Sequence, residues 1–513
     1  MRTRRARTLC GGLAASSALL VLTGCSLWAA ASPATAPAQP AVPYAAYVLL
    51  AETPAGSTAA FARVIVAPGR DCPALLGTGT ERIATTPRRN PHGFTVKVCE
   101  ARYPFGRSLT VEGGPHLPAV VETPTRIAVL GDSGCEPKDQ TGCGLDDPQW
   151  PFPTIARAAA ASHPDLILHV GDYNYRGTPS GFKTTVNGQQ VQRWYYDAGD
   201  GSTPAEKCGL PGPYLSQNST GNPDADRWES WWLDFFQPAG DLLTAAPWVF
   251  ARGNHELCSH AGPGWFYFLD ASSDLAEGGG KQLDCPSQDG EGPALPHLEL
   301  GEPQVLHLAG LDLVSIDSAN ACDQLPGLTD VYQRQFLAAA QRLGNHKAWL
   351  MTHRPIWGVQ DAGATLYGCD GQPKTGPVLP YGELNRTLQC ALHGEAGEAL
   401  LPKIEHILTG HMHRFESITF AAPTHRPPTL VVGNSGVVED NGPPTGAFAQ
   451  TVDGAPASGY SVISFGYLEL TRDPHGTWQG AMVAVNPSAW PPFLAPCATG
   501  PTVGQALCVK PMP

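Results

Sequence analysis

Charged side chains are scarce in this 513-residue chain: Asp, Glu, Lys and Arg together make up 15%, against about 25% in typical soluble proteins. Basic charge is scarcer still, 33 Lys and Arg facing 46 Asp and Glu for a formal net charge of -13. Without a basic surplus the surface cannot neutralise a phosphate backbone, so nucleic acid is not an expected partner. The sequence contains no internal repeat, no Cys-x-x-Cys zinc spacing and no second apolar span after the one near its start. Gly (57) and Pro (50), by contrast, make up about a fifth of the residues, against about 12% on average, which excludes a helical bundle or coiled coil. A hydrophobic content of 42% excludes wholesale disorder. The length suggests roughly two to four units, or one large α/β domain with appendages.

The compartment is legible at the N-terminus. Met1 to Arg7 carries four arginines, and Leu9 to Leu22 is apolar and small. This is the charged-then-apolar order of an export signal, too short for a spanning helix. It ends in Leu22-Thr23-Gly24-Cys25, which resembles a bacterial lipobox, where the cysteine is lipidated; cleavage among Ala29 to Ala38 is the alternative. Arg4-Arg5 matches a twin-arginine signal poorly. Residues 1–25 are thus expected to be a signal peptide with lipobox, and the Ala/Pro-rich residues 26–43 a semi-rigid tether. The expected location is the bacterial cell envelope, periplasmic or outer, with membrane contact only through a lipid on Cys25. Of 14 cysteines, Cys10 lies in the signal and Cys25 is the lipid candidate, leaving an even twelve. In an oxidising compartment these are expected as disulfides. The sequence-local pairs are Cys72 with Cys99, Cys135 with Cys143, Cys369 with Cys390 and Cys497 with Cys508.

Residues 44–121 read as a β accessory module of short strands, Ala45-Leu50, Phe61-Val66, Phe94-Val98 and Leu109-Val111, separated by Gly and Pro turns. From 122 to 457 apolar runs alternate with helical stretches, the pattern of an α/β core with buried strands. Residues 458–513 supply two antiparallel strands, Tyr460-Leu470 and Gly480-Val485, and a Pro-rich tail. The aromatic cluster Trp228, Trp231, Trp232, Phe235 and Phe236 has helical spacing and is expected in the core.

Polar residues follow five of the apolar runs at once. Arg126-Leu130 leads into Gly131-Asp132-Ser133-Gly134, and Leu166-Val170 into Gly171-Asp172-Tyr173-Asn174-Tyr175. Trp248-Ala251 leads through Arg252 into Gly253-Asn254-His255-Glu256. Ala348-Thr352 leads into His353-Arg354-Pro355, and Ile404-Thr409 into Gly410-His411-Met412-His413. In open α/β sheets the site lies outside the carboxyl ends of strands, so these ends are expected to gather in one cleft. Carboxylate and phenolate oxygens favour a highly charged ion, and imidazoles suit Zn, Fe, Mn or Cu. Asp172 could bridge two ions, which could clamp a phosphoryl oxygen and generate hydroxide at neutral pH. Other histidines, among them His260, His297, His307, His393, His406 and His425, are expected to be surface or structural.

In this order the five blocks resemble the metallophosphoesterase (calcineurin-like) superfamily, over roughly residues 125 to 435. The match is closest to its purple acid phosphatase branch, marked by Gly-Asp-x-Gly in the first block and a Tyr three residues after the second-block Asp. The resemblance implies a two-sheet αββα sandwich, here with a small N-terminal β module and a short C-terminal β/disulfide tail. It implies that Asp132, Asp172, Tyr175 and His413 hold one ion, and Asp172, Asn254, His353 and His411 the other. The ions would be Fe(III) paired with Zn, Fe(II) or Mn(II). It places His255 facing the scissile ester, where it would donate a hydrogen bond or proton to the leaving group; Arg354 is expected either to bind phosphate or to support its loop. The implied reaction is hydrolysis of a small phosphomonoester by in-line attack of a metal-bound hydroxide. A phosphodiesterase or nucleotidase on the same site is the alternative, and a non-catalytic surface binder of metal or phosphate a further one.

Overall fold

The computed structural model describes residues 43–136, 143–176, 226–258, 260–285, 300–323, 326–360, 367–373, 381–437, 444–486 and 508–512, with the strands Phe182–Val186 and Gln189–Arg193. Cys25 and Cys497, and with them the lipidation site and the Cys497–Cys508 pair, lie outside the described residues. Two large sheets dominate, one of ten strands and one of eight. At the centre of the first, Arg126–Leu130, Leu166–His169, Trp248–Phe250 and Ala45–Glu52 run parallel. At the centre of the second, Leu311–Ile316, Ala348–Thr352, Ile404–Thr409 and Thr429–Val432 do the same.

These strands are buried on both faces, and alternation decides which layer each residue enters. Ile127 and Val129 point into the core between the sheets with Leu313, Met351, Leu408 and Leu430. Ala128 and Leu130 point outward, under Phe152–Ala161 and the aromatic cluster. The outer face of the second sheet is covered by Thr329–Leu343, Arg386–Ala391 and Glu395–Leu400. Helix, sheet, sheet, helix is the resulting order of layers. Trp228, Trp231, Phe235 and Phe236 are buried in the first outer layer.

Part of the β segment before residue 121 continues the first sheet, while Leu75–Leu76, Arg82–Ile83, Leu109–Val111 and His116–Leu117 form a separate four-stranded sheet. Ala45–Glu52 pairs antiparallel with Thr58–Val66, which pairs with Lys97–Tyr103. The last strand begins later than expected from Phe94, because Asn90 bonds both the N–H and the carbonyl of Phe94 and holds a turn there. Buried Arg63 and Arg88 converge on Glu100, each at 2.8 Å, and reach across to the carbonyls of Phe268 and Phe266 at 2.7 and 3.0 Å. This ties the N-terminal strands to the chain just beyond Asn254–Glu256.

The run read as one strand over Tyr460–Leu470 is two strands in different sheets: Ala455–Val462 joins the second and Gly466–Arg472 the first, beside Arg126–Leu130. Asn434 fixes the crossing, its side chain donating to Ser464 O at 2.6 Å and its carbonyl accepting from Gly466 N at 2.9 Å. Disulfides Cys72–Cys99, Cys135–Cys143 and Cys369–Cys390 form as expected, and Cys258–Cys285 closes the loop after Glu256. Among the described residues no helix is long and apolar enough to cross a membrane.

Candidate metal centre

The carboxyl ends of three first-sheet strands and two second-sheet strands meet at one edge of the sandwich. Asp132 and Asp172 leave their strands at φ 54° and 57°, and His411 at 72°. Such left-handed backbone is uncommon outside glycine and clusters where geometry is functionally constrained. The surrounding glycines allow close approach rather than flexibility. A Cβ on Gly253 would lie 2.0 Å from Asp172 Oδ1, and one on Gly410 2.4 Å from Asp132 Oδ2.

The side chains then converge. Tyr175 Oη lies 3.2 Å from Asp132 Oδ1, 3.0 Å from Asp172 Oδ2 and 3.1 Å from His413 Nε2. Asp172 Oδ2 is 3.2 Å from His353 Nε2, which is 2.9 Å from Asn254 Oδ1. The other ring nitrogen of His353 is 2.8 Å from Val170 O, which fixes the ring. The backbone N–H of His411 donates to both Asp132 oxygens, at 3.0 and 2.9 Å. Donor atoms of Asp132, Asp172 and His413 lie within 4.8 Å of one another, as do those of Asp172, His353 and His411. All seven expected donors are therefore together, and Asp172 belongs to both groups. Tyr173 points elsewhere: its hydroxyl donates to Ala251 O at 2.9 Å and its ring stacks on His169.

The donors suit cations. Burial pushes the Asp132 carboxyl up to about 7, with Asp172 adding repulsion, and holds the Tyr175 phenol well above its usual range. Burial also pushes Asp172 upward, but His353 and His255 outweigh it and hold that carboxyl well below the ordinary value. Asp172 in turn raises His353 to about 9 against the effect of burial. Acids this deeply buried need positive charge nearby. His411 Nδ1 is buried without a hydrogen-bond partner among the described residues, an acceptor that a metal would satisfy.

His255 packs its ring on Tyr175, centroids 4.0 Å apart, with Nε2 4.0 Å from Asp172 Oδ2. Its backbone N–H, rather than its ring, donates to Asp172 Oδ1 at 2.9 Å. Burial depresses the imidazole pKa well below the usual value. Arg354 pairs with Asp323 and donates to Ala319 O at 3.3 Å; its Nη1 is 3.1 Å from His411 Nε2. His260 is buried, its ring nitrogens on the carbonyls of His255 and Arg176.

Sequence reasoning missed three supports. Asp323 Oδ2 is 2.9 Å from His411 Nε2, while Oδ1 accepts from Asn385 at 2.7 Å. Glu256 accepts from Tyr173 N at 3.0 Å, Asn174 N at 3.2 Å and Gly253 N at 3.2 Å, joining the second and third blocks. Asp234, fully buried, holds Arg176 at 2.6 Å and so the chain beside Tyr175. Only Glu256 adjoins a recognisable block; the other two arrive from distant segments.

The calcineurin-like phosphoesterase family model matches residues 125–415. No curated protein sequence matches the chain. Among solved structures, the chain is similar to purple acid phosphatase PPD1 from yellow lupin (Lupinus luteus) seeds, with TM-score 0.44 and 13% identity, over 91% of this chain and 74% of that one. It is also similar to PhoD, with TM-score 0.41 and 11% identity, over 85% of each chain.

Proposed function

The chain belongs to the calcineurin-like phosphoesterase family, and from that premise we propose that it is an exported dinuclear-metal phosphoesterase acting on small phosphomonoesters. The observation that supports this reading most is the convergence of seven donors from five strand ends, with Asp172 common to both triads. Asp132, Asp172, Tyr175 and His413 would hold one ion, and Asp172, Asn254, His353 and His411 the other. Two bound ions would supply Lewis acidity toward phosphoryl oxygens and activate water at neutral pH. His255 would donate a hydrogen bond or proton to the departing alkoxide. Arg354, held by Asp323, would present its guanidinium to a phosphate oxygen while keeping His411 oriented. Metal analysis with an aryl-phosphate assay tests the reading. Two ions per chain and hydrolysis lost on chelation are expected, with monoesters preferred over diesters in a substrate panel. A chain that binds no ion, or binds two and hydrolyses no ester, would overturn it.

Metal identity follows from the donors. A phenolate beside two carboxylates favours a hard trivalent ion, so we propose Fe(III) at the Tyr175 site and Zn, Fe(II) or Mn(II) at the other. Fe(III) phenolate absorbs visible light by charge transfer, so the oxidised protein is expected to be purple to pink. Tyr175→Phe should bleach it and Tyr173→Phe should not, since only Tyr175 faces the carboxylates. A colourless protein with stoichiometric iron, unchanged by Tyr175→Phe, would defeat the iron assignment alone.

Four disulfides among the described residues accord with an oxidising compartment outside the cytoplasm. We propose that the exported chain is anchored by a lipid on Cys25. Wild type should partition into membranes or detergent, and Cys25→Ser should release it or block its processing. Wholly soluble wild type with an N-terminus beyond Cys25 would refute the anchor.

A further inference from the structure

A second group of nitrogen and oxygen donors lies at the edge of the second sheet, around strands that carry none of the first site's donors. Gln304–Leu308 and Leu311–Ile316 form an antiparallel hairpin in which His307 stands directly opposite Asp312. Side chains so opposed are close enough to share a ligand. The turn after helix Thr329–Leu343 delivers His346 to the same place, just before Ala348–Thr352, which runs parallel beside Leu311–Ile316. Asp312 Oδ1 is 3.1 Å from His307 Nδ1, and its Oδ2 is 2.8 Å from His346 Nδ1. The two rings meet edge to face, centroids 5.3 Å apart. All three side chains border a cleft of about 610 Å³, whose other walls include Lys347, Trp349, Glu405 and Trp478.

Two arrangements bring imidazoles this close to a carboxylate: hydrogen bonds, or a shared cation. His346 makes a hydrogen bond, its Nδ1 2.8 Å from Asp312 Oδ2, and His307 does not. Its Nδ1 is buried and 3.1 Å from Asp312, yet makes no hydrogen bond among the described residues. The distance suits a hydrogen bond and the angle does not, whereas a cation requires that both lone pairs point to a third position. We propose that His307, Asp312 and His346 form a divalent-cation site separate from the phosphoesterase centre. Two imidazoles and one carboxylate suit zinc, which takes three protein ligands and leaves a fourth position open, here facing the cleft. Asp312 would cancel part of the ion's charge. The ion would also cross-link the hairpin to the exit of the helix.

The test uses the full chain, stripped with a chelator and titrated with zinc alone, the bound metal being counted after desalting. Wild type is expected to hold one more equivalent than Asp312→Asn or His346→Ala, with aryl-phosphate hydrolysis unchanged in both. His346 is 63% exposed, so its replacement should not threaten folding. Asp172→Asn should keep this equivalent while losing those of the first site, so failure at either centre is read separately. Equal zinc content in wild type and both variants would overturn the proposal. So would a wild type in which zinc gives no rise in Tm beyond that seen in His346→Ala.

Discussion

Asp172→Asn is expected to empty both ion positions and to reduce ester hydrolysis by on the order of 10³-fold or more. The side chain has no slack in which to be replaced. Oδ1 accepts the His255 backbone N–H at 2.9 Å, and Oδ2 lies 3.0 Å from Tyr175 Oη and 3.2 Å from His353 Nε2. Asparagine keeps the shape but turns one oxygen into an NH₂ donor, which would then face another donor. It also removes the charge that holds His353 at about 9 and that would be shared by two cations. Movement cannot compensate, because Gly253 is packed so closely that even a Cβ there would stand 2.0 Å from Oδ1. Metal content and turnover should therefore fall together. Full occupancy with normal turnover in the purified variant would remove Asp172 from the role of shared ligand.

Much of this site was legible because its chemistry sits at strand ends. Five apolar runs followed by Gly-Asp, Gly-Asn-His, His or Gly-His-Met-His name both the donors and the places where the chain turns. Tyr175 could be separated from Tyr173 only through the branch motif, and the fold gives the reason. The two side chains diverge, one to Asp132 and Asp172 and the other to the carbonyl of Ala251. Asp323 and Asp234 were not legible, because each touches the site through the three-dimensional path of a segment without a motif. The strand over Tyr460–Leu470 was misjudged for a related reason. Ile463 and Phe465, on either side of Ser464, keep the run strand-like, and only the distant Asn434 reveals where the chain changes sheet. The N-terminal strands likewise show β character in their residues, but the parallel pairing of Ala45–Glu52 with Trp248–Phe250 is a long-range event with no local signal.

His255→Ala is expected to leave both ions in place and slow hydrolysis by about 10²–10⁴-fold, most for esters with strongly basic leaving groups. Retention of metal follows from which atoms do the bonding. His255 supports Asp172 through its backbone N–H, which alanine keeps. Its ring nitrogen stands 4.0 Å from the nearest Asp172 oxygen, so the ring is set beside the donor cluster rather than within it. The ring is also held in a fixed direction, packed on Tyr175 and beside buried His260, which anchors the His255 carbonyl. A group so placed lies against the donor cluster without competing for an ion. Burial keeps the imidazole pKa low, so the ring rests largely neutral and offers a departing alkoxide an N–H hydrogen bond, or a proton once it is charged, while an aryl oxide of low basicity needs no such help. The loss should thus steepen the dependence of rate on leaving-group pKa. The variant's rates on a graded series of aryl and alkyl phosphates, measured at full metal occupancy, decide the matter. Equal losses across the series would assign His255 to substrate positioning instead of proton donation, and loss of metal would place its ring among the ligands.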